Sequence, residues 1–131
     1  MLFFFFSDLH AAIVVRIDQN KVEEFTPFTH RYELIISDNC SHCINQISIM
    51  KDCVRPEDVV VLMENKSNLS EEGLKKILRK KKIIYKTYLL DKNLREVYSF
   101  KGVTPMMWIT KNESKKSYLG VLTCENLKLN F

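Results

Sequence analysis

Residues 32–54 read YELIISDNCSHCINQISIMKDCV, and this stretch decides the fold. Its first part, residues 32–36, is an apolar run of strand length, and residues 37–39 (Ser-Asp-Asn) favour turns and helix caps. Beyond Ser41, apolar side chains recur three and four positions apart, which is the spacing of one face of a helix. The sequence therefore predicts a strand, a tight turn and an amphipathic helix that ends before Pro56.

Two cysteines, Cys40 and Cys43, lie where the predicted strand gives way to the helix. The unpaired amide groups and the positive end of a helix dipole stabilise a thiolate at this position, and a thiolate is the nucleophile of disulfide exchange. Cys43 follows one helical turn later, close enough to attack the mixed disulfide that results. We therefore predict that Cys40 attacks and that Cys43 resolves.

His42 lies between the two cysteines and is the third residue that we assign to the catalytic motif. When it is protonated, its imidazolium adds positive charge near the sulfurs, stabilises the reduced form and makes the disulfide a stronger oxidant. Because histidine titrates near neutral pH, this effect is expected to depend on pH. The alternative is an exposed residue at a helix start without redox influence.

The remaining sequence alternates between strand and helix patterns. Predicted strands occupy residues 11–17, 22–25, 59–63, 83–90, 106–110 and 118–122, and predicted helices begin near Ser70, Lys92 and Thr123. Strands separated by helices favour an α/β fold with a sheet that is at first mainly parallel, and the last two strands predict an antiparallel hairpin. We expect a mixed central sheet of four to five strands flanked by helices.

The chain has 131 residues, the size of one domain, and we predict a single domain over residues 1–131. Its formal net charge is +4, and the six basic residues between Lys75 and Lys82 account for this excess. Lysines at the end of a predicted helix suit its negative terminus, and an anionic partner or membrane surface is the alternative. The basicity is local and does not indicate nucleic-acid binding.

The order of these features resembles the thioredoxin superfamily over about residues 32–122. A strand leads into Cys40-Ser41-His42-Cys43 and a helix, and much later Val103-Thr104-Pro105 precedes a strand hairpin. The resemblance implies a thioredoxin-like three-layer sandwich in which Pro105 is cis and lies beside the cysteine pair. It also implies that Thr104 offers its backbone to a substrate strand, so Thr104 and Pro105 are the predicted substrate-binding residues. Only an X-Pro bond adopts the cis form at a modest cost.

Two details of the resemblance indicate opposite redox directions. The separation between Cys43 and Pro105 leaves room for an extra strand and helix, as in the TlpA/ResA-like extracytoplasmic thioredoxins of bacteria. The Ser-His dipeptide between the cysteines is instead similar to the Pro-His of DsbA-type oxidases. The direction of electron flow is therefore left open.

The sequence also departs from the family pattern. Asn39 stands where thioredoxins carry a tryptophan, and Leu34 stands where they carry a buried aspartate. Gln46 occupies the position at which some extracytoplasmic members place a glutamate. The sequence therefore does not identify an internal proton acceptor for Cys43, and Glu33 and Asp38 are the nearby candidates.

Cys53 and Cys124 lie outside the motif. If the helix runs unbroken from Cys43 to Cys53, these two residues are separated by about 15 Å along its axis. Cys53 then cannot resolve a disulfide on Cys40 or share a metal ion with the pair. We expect Cys53 and Cys124 to be buried, inert thiols, and a structural disulfide between them is the alternative.

Two other functions compete with disulfide exchange. In the first, the cysteine pair binds a metal ion together with His42 or a distant histidine, His10 or His30, although structural zinc usually takes four ligands and no second pair exists. In the second, the chain is a redox-inactive interaction domain in which residues 106–108 (Met-Met-Trp) form a peptide-binding surface. A core strand explains residues 106–108 equally well.

The predicted function is that of a thiol–disulfide oxidoreductase acting on protein thiols and disulfides, with a redox partner protein. No glycine-rich phosphate loop is present, so no cofactor is expected.

Residues 1–30 are expected to form an N-terminal strand or hairpin extension. The apolar residues 2–6 are too short to cross a membrane, and they are either the remnant of a secretory signal or a buried edge segment. Membrane association is not indicated. We favour an extracytoplasmic, periplasmic location, and a cytoplasmic one stays open.

Overall fold

The computed structural model describes residues 11–129, so the apolar residues 2–6 and the signal that they suggest lie outside the described residues. The strands are β1 (Ala12–Arg16), β2 (Lys21–Phe25), β3 (Tyr32–Ser37), β4 (Val59–Glu64), β5 (Lys86–Leu89), β6 (Met106–Lys111) and β7 (Ser114–Leu119). The helices are α1 (Ser41–Cys53), α2 (Glu71–Lys80), α3 (Lys92–Val97) and α4 (Cys124–Leu129), with two short 3₁₀ helices at Ile17–Gln19 and Pro56–Asp58.

All the described strands belong to one sheet, in the order β2-β1-β5-β4-β3-β6-β7. Strands β3, β4 and β5 are parallel, and every other pairing is antiparallel. The expectation of an α/β fold with a mixed sheet is confirmed, but the expected four to five strands are too few. The β1–β2 hairpin, which the sequence predicts as an extension, joins the β5 edge through the pair Arg16 and Tyr88.

Helices cover both faces of the sheet, which makes three layers. Strand β4 shows why, because its first five residues (VVVLM) are all buried and alternate between two apolar cores. Helices α1, α2 and α4 contribute to the first core, through Ile47, Leu74 and Leu127 among others. The second core lies under α3 and includes Leu94 and Tyr98. Within residues 11–129, no helix has the length and apolar character needed to cross a membrane.

The last strand begins earlier than the sequence predicts. The sequence predicts a strand at residues 118–122, whereas β7 runs from Ser114 to Leu119 after a turn in which Asn112 has a positive φ of 58°. The first four residues of β7 are polar and exposed because the strand forms an edge of the sheet. An edge strand of this kind lacks the apolar alternation by which a strand is recognised.

The topology places the end of β3 beside the start of β6. Ile35 in β3 pairs with Met106 in antiparallel β6, so the residues just before β6 lie next to the residues just after Ile35. The turn that leads from β3 into α1 therefore shares one end of the sheet with the loop that precedes Met106. The cysteine motif belongs to that turn, and Pro105 belongs to that loop.

Candidate functional site

Cys40 is the N-cap of helix α1. Its backbone is extended, with φ −96° and ψ 110°, and Ser41 is the first helical residue. The Cys40 Sγ accepts a hydrogen bond from the backbone N–H of Cys43 at 3.2 Å. A side-chain oxygen takes this place in an ordinary N-cap, where it pairs with one of the otherwise unpaired amides of the first turn. The arrangement favours negative charge on the Cys40 sulfur.

Cys40 and Cys43 are joined in a disulfide, with their Cα atoms 5.4 Å apart. The two cysteines differ in exposure, because Cys43 is completely buried in the first core whereas Cys40 is half-buried. An external thiol can therefore approach Cys40 and not Cys43.

The loop before β6 lies beside Cys40. The peptide bond between Thr104 and Pro105 is cis, and the Thr104 Oγ1 lies 3.3 Å from the Ser37 Oγ at the end of β3. A depression that we call the Thr104 groove separates this loop from the start of α1. It is lined by Ser37, Asn39, Cys40, Ser41, His42, Lys66, Gly102, Val103 and Thr104. The structure thus brings Cys40, His42 and Thr104 to one groove.

A second depression, which we call the lysine cleft, adjoins the same cysteine. It is lined by Asp38, Asn39, Cys40, Ser41, Ile44, Ile77, Lys80 and Lys81. The Lys81 Nζ donates a hydrogen bond to the Asp38 carbonyl oxygen at 2.9 Å, and burial lowers the pKa of Lys81. The end of the predicted lysine run therefore lies against the cysteine motif, which the sequence pattern does not indicate.

Of the two candidate proton acceptors, Glu33 lies on the wrong face of the sheet. Its carboxylate accepts hydrogen bonds from the Tyr98 hydroxyl and from the backbone amides of Phe28 and His30. Burial raises the pKa of Glu33, and these hydrogen bonds offset the effect only in part. Tyr98 belongs to the second core and Cys43 to the first, so the candidate Glu33 lies across the sheet from Cys43.

The other candidate, Asp38, stays next to the motif but is already engaged. Its Oδ1 accepts hydrogen bonds from the backbone amides of Lys66 at 2.6 Å and Ser67 at 3.3 Å. Burial by itself would raise the pKa of Asp38, but hydrogen bonding from the Ser67 side chain and from these two amides outweighs burial and lowers it. A carboxylate held in this way accepts a proton poorly, and it fixes the loop after β4 to the turn before Cys40.

Gln46 is completely buried one turn after Cys43. Its Nε2 donates to the Leu122 carbonyl at 3.1 Å, and its Oε1 accepts from the Leu122 N–H at 2.6 Å. The amide side chain thus pairs with the backbone of the segment between β7 and α4. Gln46 is a structural clamp, and both of its polar ends are occupied.

Cys53 and Cys124 are not the free thiols that we expected. They form a second disulfide, with Cα atoms 5.7 Å apart. Helix α4 packs against α1 and brings Cys124 to the last residue of that helix, a placement that the separation of 71 residues conceals in the sequence. All four cysteines are therefore paired.

The histidines occupy different surroundings. His42 is exposed in the first turn of α1 and lines the Thr104 groove. His30 is stacked on Phe25 and lies 3.9 Å from the Glu33 carboxylate, across the sheet from the motif, whereas His10 lies outside the described residues. Within residues 11–129 no group of three or more potential metal ligands is found.

Residues 106–108 belong to the core strand rather than to an open surface. Met106 and Met107 are buried, and the indole N–H of the half-buried Trp108 donates to the Tyr98 carbonyl at 3.1 Å. The residues that the sequence did not indicate at the site are Ser37, Lys66 and Lys81. Only the position of Ser37 at the end of an apolar run carries a signal that it would lie near Cys40.

No family model matches this sequence, and neither does any curated protein. Solved structures do match. StoA from Bacillus subtilis is 17% identical with a TM-score of 0.60, over 91% of this chain and 94% of that one. A secreted Mycobacterium tuberculosis disulfide oxidoreductase homologous to E. coli DsbE is 7% identical with a TM-score of 0.62, over 88% and 90%.

The exposed lipoprotein thioredoxin Etrx1 from Streptococcus pneumoniae is 15% identical with a TM-score of 0.62, over 88% of this chain and 93% of that one. At these levels of identity the matches show the fold. The thioredoxin-like fold that the sequence predicts is confirmed, and the proteins that share it include thioredoxins and disulfide oxidoreductases.

Proposed function

We propose that this chain is a thiol–disulfide oxidoreductase that exchanges disulfides with protein substrates through Cys40. One observation carries the proposal. The half-buried Cys40 caps a helix with its sulfur, receives the Cys43 amide, and is bonded to a cysteine that solvent does not reach. Two thioredoxin-fold neighbours that are described as a disulfide oxidoreductase and a lipoprotein thioredoxin support it.

The exchange proceeds in two steps that conserve electrons. A substrate thiolate attacks the Cys40 sulfur, the Cys40–Cys43 bond breaks, and Cys43 leaves as a thiolate that takes up a proton. A second substrate thiolate then attacks the substrate sulfur of the mixed disulfide and releases Cys40 as a thiolate. The substrate has lost two electrons and the protein has gained two. Reduction of a substrate disulfide is the same sequence in reverse, and the reduction potential sets the direction.

The Thr104 groove is the proposed place of the substrate backbone. An extended segment that lies along Thr104 and Pro105 brings its cysteine to the exposed side of Cys40, and His42 faces the same groove. We assign the catalytic roles to Cys40, Cys43 and His42 and the substrate-binding roles to Thr104 and Pro105.

An extracytoplasmic location forms part of the proposal. Two disulfides persist in an oxidising compartment, and two of the fold neighbours are described as a secreted protein and an exposed lipoprotein. Alkylation of cysteines in intact cells that express the full-length protein tests the location. Fully reduced cysteines under these conditions would contradict it.

The activity is tested by exchange between the oxidised protein and a cysteine-containing peptide, followed by mass spectrometry. We expect the wild type to exchange much faster than oxidised glutathione does, and Cys40→Ser to react at the uncatalysed rate. The matched control is Cys53→Ser with Cys124→Ser, which removes the other disulfide. A wild type no faster than glutathione would favour the redox-inactive interaction domain instead.

A further inference from the structure

The lysine cleft and the Thr104 groove meet at Cys40. Both are lined by Asn39, Cys40 and Ser41, and they extend from the motif in two directions. A polypeptide that crosses Cys40 along Thr104 therefore enters the lysine cleft with the residues on one side of its reacting cysteine.

The charges around Cys40 are predominantly positive. Lys80 and Lys81 line the lysine cleft, and Lys66 lines the Thr104 groove. Asp38 supplies the carboxylate in the lining of the lysine cleft, where it is engaged by the backbone amides of Lys66 and Ser67, and the lining that residues 11–129 give the Thr104 groove contains no carboxylate. A substrate carboxylate thus meets ammonium groups on both sides of the motif, while a substrate ammonium meets no free acceptor of opposite charge in the linings.

The lysine cleft combines these charges with an apolar wall. Ile44 is 43% exposed at the start of α1, and Ile77 faces it from α2. Lys81 uses one of its N–H donors on the Asp38 carbonyl, and an ammonium group has three. A segment that carries an acidic side chain next to an apolar one matches this surface in charge and in polarity.

Helix geometry separates the cleft lysines from the other basic residues of α2. Lys80 and the C-cap residue Lys81 lie three and four positions after Ile77, and all three line the lysine cleft at the end of α2. Arg79 is exposed and lies two positions from Ile77, which places it on another side. A role confined to balancing the negative end of α2 would not distinguish Arg79 from Lys80.

We propose that the lysine cleft is a specificity site which binds an acidic segment of the substrate polypeptide beside its reacting cysteine. This inference rests on the proposed function and names the class of substrate: proteins whose exchanging cysteine is flanked by aspartate or glutamate and an apolar residue. Lys80 and Lys81 are the residues that recognise the carboxylate.

The test compares the rates at which the reduced protein reduces the disulfide-linked dimer of a cysteine peptide flanked by glutamates, the same dimer with glutamines, and the neutral hydroxyethyl disulfide. At low ionic strength we expect the wild type to prefer the glutamate peptide, and we expect salt to remove the preference. Lys80→Gln should lower the ratio of the glutamate rate to the hydroxyethyl disulfide rate by about two- to fivefold, and Lys81→Gln should do the same. Arg79→Gln removes one positive charge from the same helix end and is the matched control.

The possible outcomes test the acidic-substrate site and the proposed function separately. A wild type inert towards every disulfide would overturn the proposed function. A wild type that exchanges but does not distinguish glutamate from glutamine would overturn the acidic-substrate site alone. Equal slowing with all three reagents in Lys80→Gln would show that the lysine acts on Cys40 itself, and an equal loss of preference in Arg79→Gln would reduce the effect to net charge.

Discussion

The two disulfides lie at opposite ends of helix α1, and their sulfurs face opposite backbone groups. At the beginning of the helix, the Cys40 Sγ receives the amide N–H of Cys43 at 3.2 Å. At the end, the Cys53 Sγ lies 3.0 Å and the Cys124 Sγ 3.7 Å from the carbonyl oxygen of Ile49. One pair therefore meets the positive end of the helix dipole, and the other meets the negative end.

This difference assigns a different task to each pair. A thiolate released at the start of α1 is stabilised by an amide donor, which favours the reduced form and makes this disulfide the more readily reduced of the two. A thiolate released at the end of α1 is repelled by a carbonyl oxygen, and the bond it belonged to joins segments 71 residues apart. The first disulfide suits exchange, and the second suits cross-linking.

The largest expected effect concerns trapping of partners. Cys43→Ser removes the residue that releases a bound substrate, so we expect stable mixed disulfides on Cys40 when the variant is expressed in cells, visible on non-reducing gels. Cys53→Ser removes a cysteine from the other end of the same helix and should trap far less. Equal trapping by both variants would show that the two ends of α1 do not differ in reactivity.

The next effect concerns stability. Replacing Cys53 and Cys124 together by serine removes a cross-link that closes a long loop, and we expect the free energy of unfolding to fall by about 2–4 kcal/mol. Urea denaturation of the double variant measures this loss, and disulfide exchange should persist. Selective reduction of the short Cys40–Cys43 link should cost less. If reducing the Cys40–Cys43 pair lowered the free energy of unfolding more than the double replacement does, the assignment of cross-linking to the Cys53–Cys124 pair would be wrong.

The sequence alone predicts both ends of α1, but it does not predict the disulfide partner of the last residue of α1. The run at residues 32–36, the capping residues and the spacing after Ser41 are local signals, and they place Cys40 at the helix start correctly. The signal that ends α1 near Cys53 is also local. The disulfide partner of Cys53 has no local signal, because it comes from a short helix 71 residues away.

The same limit applies around Cys40. The contact of Lys81 with Asp38 spans 43 residues, the contact of Ser37 with Thr104 spans 67, and that of Gln46 with Leu122 spans 76. The resemblance to thioredoxins predicts that the Thr104 loop lies beside the cysteine pair, because the family pattern includes both features. The lysine run gives only the periodicity of a helix, which contains no information on which neighbouring loop its last residues meet.

A smaller loss of stability is expected at Gln46, midway between the two disulfides. Gln46→Ala leaves the buried N–H and carbonyl of Leu122 without partners, which costs about 1–3 kcal/mol in unfolding free energy. The exposed neighbour Asn45→Ala is the control. Because Gln46 and the second disulfide hold the same segment, we expect the losses in Gln46→Ala and in the Cys53/Cys124 double variant to be non-additive. If the two losses of unfolding free energy simply add, the Gln46 hydrogen bonds and the Cys53–Cys124 disulfide stabilise this segment independently.

The smallest effect is expected from His42. We propose that its imidazolium stabilises the Cys40 thiolate, so replacement by alanine should make the Cys40–Cys43 disulfide less oxidising at about pH 6, by about 30 mV or less, where 30 mV corresponds to about 1.4 kcal/mol. The difference should shrink in alkaline solution, because only a protonated imidazole carries the charge. Equilibration with glutathione measures the potential, and Ser41→Ala is the uncharged control in the same turn. The Cys53–Cys124 pair lies about 15–20 Å along the helix and should not respond. A difference that persists at high pH would mean that His42 acts through packing and not through its charge.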